Sequence, residues 1–294
     1  MFPVRCLLLL ESIFKPGFAE KRPYLVFLLG YLYGLIAFFL STLIFHEDLG
    51  MVIVLLTVMF SLPLIYSIVK MEAKKDLTLE SEKTLLKEHR KAIMVYLSLF
   101  LGFTLAFSSI FIAVSKEKVG NYFSDQLDTL KTINRGSVSL QGYSVQMKIN
   151  SFFNILLNNF RVTVFCIIFS FIFGAGAIFI MSWNGSVLGV ALGNFVREKI
   201  SAFVAEGEAV GFAHYLKSIS HSFVRYFIHG VPEILAYIVA GIAGGIISFA
   251  VIRHSLFSKK FESVLVDCAD LIIISIAILI VAAGIEVFIT PLLY

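Results

Sequence analysis

Stretches of about twenty consecutive apolar residues recur along this chain, and nothing else in it limits the fold so sharply. Roughly 20 apolar residues in a helix cross about 30 Å of hydrocarbon. Five stretches meet that length: about Tyr24–Phe45, Gly50–Val69, Ala92–Val114, Val162–Met181 and Ile234–Ile252. A sixth, about Leu271–Phe288, is equally apolar but carries Glu286. Lipid offers no partner to a bare N–H or C=O, so each span must be a helix, which bonds its own backbone. Composition agrees. With 59% hydrophobic and 15% charged residues, the chain has more apolar surface than a soluble domain of about 45–50% apolar and about 25% charged residues carries. The predicted fold is all-α, a polytopic transmembrane helix bundle of about six spans, with seven as the alternative, plus interfacial amphipathic helices.

Charge then sets orientation. The Lys/Glu-rich stretch Lys70–Lys91 holds Lys70, Lys74, Lys75, Lys83, Lys87, Arg90 and Lys91 beside two membrane ends, and the positive-inside tendency makes it a cytoplasmic loop. Arg5, Lys15, Lys21 and Arg22 agree, and the His46-Glu47-Asp48 turn across the membrane has neither Lys nor Arg. Residues 1–91 therefore read as one unit: a cytoplasmic N-terminal interfacial helix (Val4, Leu7, Leu8, Glu11, Phe14), a transmembrane hairpin and a loop. Met1–Phe14 lacks a small-residue cleavage pattern and is predicted to be retained. The net charge of +4 is too slight to argue for nucleic acid as a partner.

The remainder, 92–294, forms the second unit. Its segment 115–160 is predicted to lie outside the cytoplasm as two amphipathic helices, one through Val119, Phe123, Leu127 and Leu130, the other through Ile149, Phe152, Phe153, Leu156 and Phe160. Asn134-Arg135-Gly136 and Gln141-Gly142 punctuate the stretch between them as turns. Beyond Trp183 the pattern breaks at Asn184-Gly185, and Ser186–Val196 is too short to cross, so it is read as re-entrant. Extended to Val204 it would cross and make a seventh span. Charge does not decide: six crossings place Arg197, Lys199, Lys217 and Arg225 inside but Arg253, Lys259 and Lys260 outside, and seven reverse both groups. Val210, Ala213, Leu216, Ile219, Phe223 and Val224 form an apolar stripe leading into the fifth span.

The run His229-Gly230-Val231-Pro232-Glu233 places an ionisable pair where that span begins. A carboxylate held at membrane depth needs a partner or a task. On a continuous helix His229 and Glu233 share a face, but Pro232 suits a first helical position, where Glu233 would meet the positive end of the helix dipole. Structural and functional readings both stand. Glu286 and the more peripheral Asp267 and Asp270 are the other acids that could line a proton or cation path with Glu233, and Asn184 or Trp183 could come near Glu233 and close a buried polar cluster that also takes in Glu286. Gly241, Gly244 and Gly245 in the fifth span, and Gly174, Gly176, Gly185, Gly189 and Gly193 around the fourth, read as helix-packing positions, because small residues let backbones approach in lipid. No metal site is predicted: His214 and His221 are the only nearby donors, and HExxH is absent. No hydrolase elbow or CxxC is present, so the chain reads as neither an enzyme nor a cofactor binder.

Asn158-Asn159 ahead of the fourth span, Asn184-Gly185 with Gly189 after it, and His229-Gly230-x-x-Glu233 opening a Gly/Ala-rich span resemble the stage II sporulation protein M family over about Ala92–Phe288. The hairpin before Ala92 and the segment Pro3–Pro16 are similar to its longer archaeal-type members. The resemblance implies an integral membrane protein; the sporulating bacterial member works with peptidoglycan-degrading partners in engulfment of the forespore. It adds Asn158, Asn159 and Gly230 to the candidate residues. The expected function is a non-enzymatic, multi-pass protein of the cell membrane, a scaffold or partner for envelope-remodelling proteins that contacts lipid, those proteins or further copies of itself. The alternative is a transporter or channel using its intramembrane carboxylates for proton or cation coupling.

Overall fold

The computed structural model describes residues 16–45, 49–78, 82–137, 144–173, 176–207, 211–253 and 258–293, helical almost throughout and with no strand among them. The Val4–Phe14 segment, the His46-Glu47-Asp48 turn, the Gln141-Gly142 turn and Gly174 lie outside the described residues. The helices are α1 (Pro16–Lys21), α2 (Pro23–Ile44), α3 (Leu49–Thr78), α4 (Glu82–Ala113), α5 (Lys116–Ser137), α6 (Val145–Phe173), α7 (Ala177–Ala205), α8 (Phe212–Arg253) and α9 (Lys259–Gly284). A π-helical turn, Ile285–Ile289, and a 3₁₀ turn, Thr290–Leu293, follow α9. Among the described residues, all of these except α1, α5 and the two closing turns are long and apolar enough to span a membrane, giving seven candidate spans. The protein is a multi-pass helical bundle.

Seven is the alternative that the sequence left open, and the difference lies in the middle of the chain. The run Val162–Met181 is not one span: α6 ends at Phe173 and α7 begins at Ala177. A Cβ on Gly176 would fall 2.2 Å from the Phe169 carbonyl carbon, so only glycine fits this reversal. Ser170 Oγ accepts the Ala177 N–H at 3.0 Å and satisfies one orphan donor of the new helix. The second amphipathic periodicity, Ile149–Phe160, is thus the first half of α6 rather than a surface helix, and Ser186–Val196 lies inside α7 rather than re-entering. Alternating seven spans puts the α8–α9 connection on the same face as α1, and Arg197 on the opposite face. The stretch Lys70–Lys91 is also mostly helical, since α3 and α4 extend into it from both sides.

Two helices form the centre: 83% of the most apolar stretch of α8 and 72% of that of α4 are buried, against 17% for α6 at the rim. Phe100, Phe103, Phe107 and Phe111 of α4, spaced for one helical face, are fully or almost fully buried. Opposite them runs the glycine row of α7. Gly185 packs on Phe103 and Phe100 in ordinary contact, while Cβ atoms on Gly189 and Gly193 would lie 2.7 and 3.0 Å from the Cβ of Phe107 and Phe111. Large rings thus fill the space that missing side chains leave, the packing that drives helix association in lipid. On the other side of α4, Gly102 meets α2 so closely that a Cβ would sit 2.3 Å from the Phe27 carbonyl oxygen.

Helix α5 lies across α3 and α7 with Val119, Phe123 and Leu130 buried, matching its amphipathic pattern. It bends at Phe123, where φ is −140° and ψ 27°. Its buried Gln126 donates from Nε2 to Gly50 O and Ser186 Oγ, both at 3.2 Å, fastening it to both helices.

Candidate functional site

Three helices bring their polar side chains together on one side of α8. Glu233 and Tyr237 lie one turn apart on α8 and so share a face. Asn159 reaches them from α6, and Glu286 from the π-helical turn after α9. Asn159 is buried and uses both ends of its amide: Nδ2 donates to Glu233 Oε1, and Oδ1 accepts from the Tyr237 hydroxyl at 3.0 Å. The backbone carbonyl of Asn159 accepts from Thr163 Oγ1 at 3.0 Å. The Glu286 side chain lies near that of Glu233, close enough for the two carboxyl groups to interact electrostatically. Nearby, Ser275 Oγ of α9 donates to the Ala236 carbonyl of α8 at 2.8 Å, a second polar tie between the same two helices.

The local sequence explains why the site forms here. α8 does not begin at Pro232 but runs through it. Proline has no N–H to give the carbonyl four residues back, so the backbone is locally loosened. A π-turn is a similar irregularity, and such turns concentrate at functional positions. Glu233 and Glu286 thus each sit beside a break in regular helical bonding.

The other candidates lie elsewhere. Asn158, next to Asn159, is exposed. Asn184 donates from Nδ2 to the Ile180 carbonyl of its own helix at 2.8 Å and does not join the cluster. His229 is one turn before Glu233 on α8, and its side chain lies outside the described residues. Gly185 and Gly189 face α4; Gly241 meets the start of α7, where a Cβ would lie 2.2 Å from the Ala177 Cβ, and Gly244 meets α6, 2.6 Å from the Ile167 carbonyl oxygen. Gly245 is buried, and Gly230 has open space where a Cβ would stand. Among the described residues, no group of three or more His, Cys, Asp or Glu side chains is arranged to hold a metal ion.

Sequence reasoning missed Tyr237, although its four-residue spacing from Glu233 was the available signal. It also missed a second polar cluster, near the start of α4. There Lys75 Nζ lies 2.8 Å from Glu20, 2.6 Å from Glu72 and 3.5 Å from Glu88. Glu72 also meets His89 Nδ1 at 2.7 Å, and both are almost fully buried. Burial pushes the Glu20 carboxyl above its ordinary range, and the Lys75 ammonium pulls it back in part. These residues tie α1, α3 and α4 together where a cytoplasmic loop was expected.

Neither the curated proteins nor the solved structures gave a match to the chain. The family model described as stage II sporulation protein M matches residues 97–291, a stretch that contains Asn159, Glu233, Tyr237 and Glu286 and leaves out α1, α2 and α3. That match covers well over half of the 294 residues, and the chain belongs to this family.

Proposed function

We propose that this protein is a non-enzymatic scaffold of the cell membrane, with its N-terminus in the cytoplasm, and that it engages envelope-remodelling proteins or further copies of itself through the outer face of α6. One observation carries the reading. Asn150, Asn154, Asn158 and Arg161 recur at four-, four- and three-residue steps along one face of α6, and all are exposed. Polar side chains on spanning helices normally face protein or a watery cavity, because lipid offers them no partner. A stripe of amides and a guanidinium on the least buried span supplies hydrogen bonds to a neighbouring helix. The test is a triple variant, Asn154→Leu with Asn158→Leu and Arg161→Leu, extracted from membranes and run on native gels. The wild-type chain should migrate in an assembly that the variant fails to form while its thermal unfolding is unchanged. An assembly of the same size in both would refute the reading.

The Glu233–Glu286 contact favours one other reading, proton- or cation-coupled transport through the site shared by α6, α8 and α9. In proteoliposomes that reading expects a pH-gradient-dependent ion flux lost in Glu233→Gln without loss of fold. Absence of such a flux from the wild type leaves the scaffold reading.

A further inference from the structure

Where α4 ends and α5 begins, a pocket of about 320 Å³ opens against α7, within the size range of small-ligand sites. Its walls divide by chemistry. Ile112 and Val196 are among the apolar lining residues, while Ser115, Lys116, Arg197 and Ser201 supply polar groups. The pocket lies at the end of the α4 span, the depth at which a bilayer changes from hydrocarbon to headgroups.

Arg197 is held in place from behind. Its guanidinium donates to the Ile112 and Val114 carbonyls, which close the end of α4, and it stacks over the Phe111 ring at 4.9 Å. Those two bonds come from one terminal nitrogen of a group with five N–H donors. Neither Arg197 nor Lys116 has a carboxylate ion-pair partner among the described residues. The nearest acid on α7, Glu198, instead accepts from Asn194 Nδ2 at 2.7 Å. Two cations without counter-ions on a concave, partly apolar surface concentrate positive potential, and a fixed guanidinium fork fits phosphate oxygens. The start of α5 adds backbone N–H groups that have no helical partner.

We propose that the pocket formed by Arg197, Lys116, Ser115 and Ser201 binds a phosphate group, carried by an anionic phospholipid headgroup or by a free phosphate. In the lipid case the apolar wall takes the glycerol and the start of the acyl chains. This site is separate from the Asn159–Glu233 cluster and from the stripe on α6, so it stands whether or not the scaffold reading does.

The test is native mass spectrometry of the full chain in detergent with phosphatidylglycerol or phosphatidylcholine, alongside thermal unfolding with inorganic phosphate. Arg197→Ala removes the clamp on α4 and risks the fold, so the informative variants are Lys116→Ala, Ser201→Leu, which fills the pocket, and Lys118→Ala as a control of equal charge outside the lining. Each basic side chain near a membrane surface contributes about 1 kcal/mol, so Lys116→Ala should weaken retention of phosphatidylglycerol roughly fivefold. Ser201→Leu should weaken it at least as much, and Lys118→Ala should leave it unchanged. Phosphatidylglycerol retained over phosphatidylcholine, with no effect of inorganic phosphate, assigns the site to lipid. Stabilisation by millimolar phosphate in the wild type and not in Lys116→Ala assigns it to free phosphate. Binding that Lys116→Ala and Ser201→Leu do not alter, equal retention of the two lipids without a phosphate effect, or no binding at all overturns the proposal.

Discussion

Two adjacent asparagines should respond oppositely to the same truncation. Asn159 is buried and links α6 to Glu233 and Tyr237 of α8 through both ends of its amide, whereas Asn158 is exposed on the outer face of the same helix. Interhelical hydrogen bonds in membrane proteins contribute about 0.6 kcal/mol on average and up to about 1.7. Losing two of them puts the effect of Asn159→Ala at about 1–3 kcal/mol, a roughly 5- to 150-fold change in the unfolding equilibrium. Asn158→Ala should stay within about 0.5 kcal/mol of the wild type, as surface substitutions do. Unfolding of the purified protein by increasing SDS mole fraction, followed by circular dichroism, measures both. A double-mutant cycle of Asn159→Ala with Tyr237→Phe isolates the bond between them and should return a coupling of at least about 0.5 kcal/mol. Equal effects of the two asparagine substitutions, or additivity in the cycle, would show that the network does not join α6 to α8.

Glycine positions should separate by clearance. Gly102→Ala drives a Cβ to 2.3 Å from a backbone oxygen of α2 and should destabilise by about 1–3 kcal/mol or prevent folding, whereas Gly185→Ala, with its nearest neighbour at 3.4 Å, should change the unfolding midpoint little. In a cysteine-free background, Ser258→Cys should react with a membrane-impermeant maleimide only from the face that carries α1 and Ser201→Cys only from the opposite face, as seven spans require; the reverse pattern would return the chain to six. The Glu20 carboxyl has a folded-state pKa raised by burial from its ordinary 4.5. Its contribution is therefore fully present below that value and declines as pH rises through the raised one. Unfolding midpoints measured across that window should fall less in Glu20→Gln than in the wild type.

The class of fold was legible because hydropathy over twenty residues reports directly on lipid exposure, and the limits of α2, α3 and α4 within the membrane followed from it. The α6–α7 reversal was not. Apolar residues continue on both sides of Gly176, so a window average passes through the turn, and what marks the turn is close approach: a Cβ at Gly176 would collide with Phe169. The converse error occurred at Asn184-Gly185, a dipeptide that signals a turn in isolation. Inside α7 the Asn184 amide bonds the carbonyl one turn back and Gly185 lies against Phe103, so both signals are absorbed by packing. Positive-inside counting failed in the same region because the basic residues after Trp183 divide between the two faces in either topology.

The site was legible in proportion to how local it is. Glu233 could be singled out from its own segment, and the four-residue step to Tyr237 was there to be read. Glu286 and Asn159, by contrast, reach it from helices more than fifty residues away in sequence. Their polarity marked them, but only the packing of α6 and α9 on α8 and on each other selects them and leaves Asn158 and Asn184 out. Helical phase makes the difference at Asn159. One residue is about 100° around a helix, so the asparagine pair cannot face one way: Asn159 turns toward α8 and Asn158 toward the surroundings. A dipeptide that reads as one motif therefore serves two contacts, an internal bond holding the bundle and an external amide in the stripe proposed to hold a partner. Exchanging the two roles by Asn158→Leu or Asn159→Leu should accordingly separate assembly from stability, the first variant losing the native-gel complex at wild-type stability and the second losing stability first.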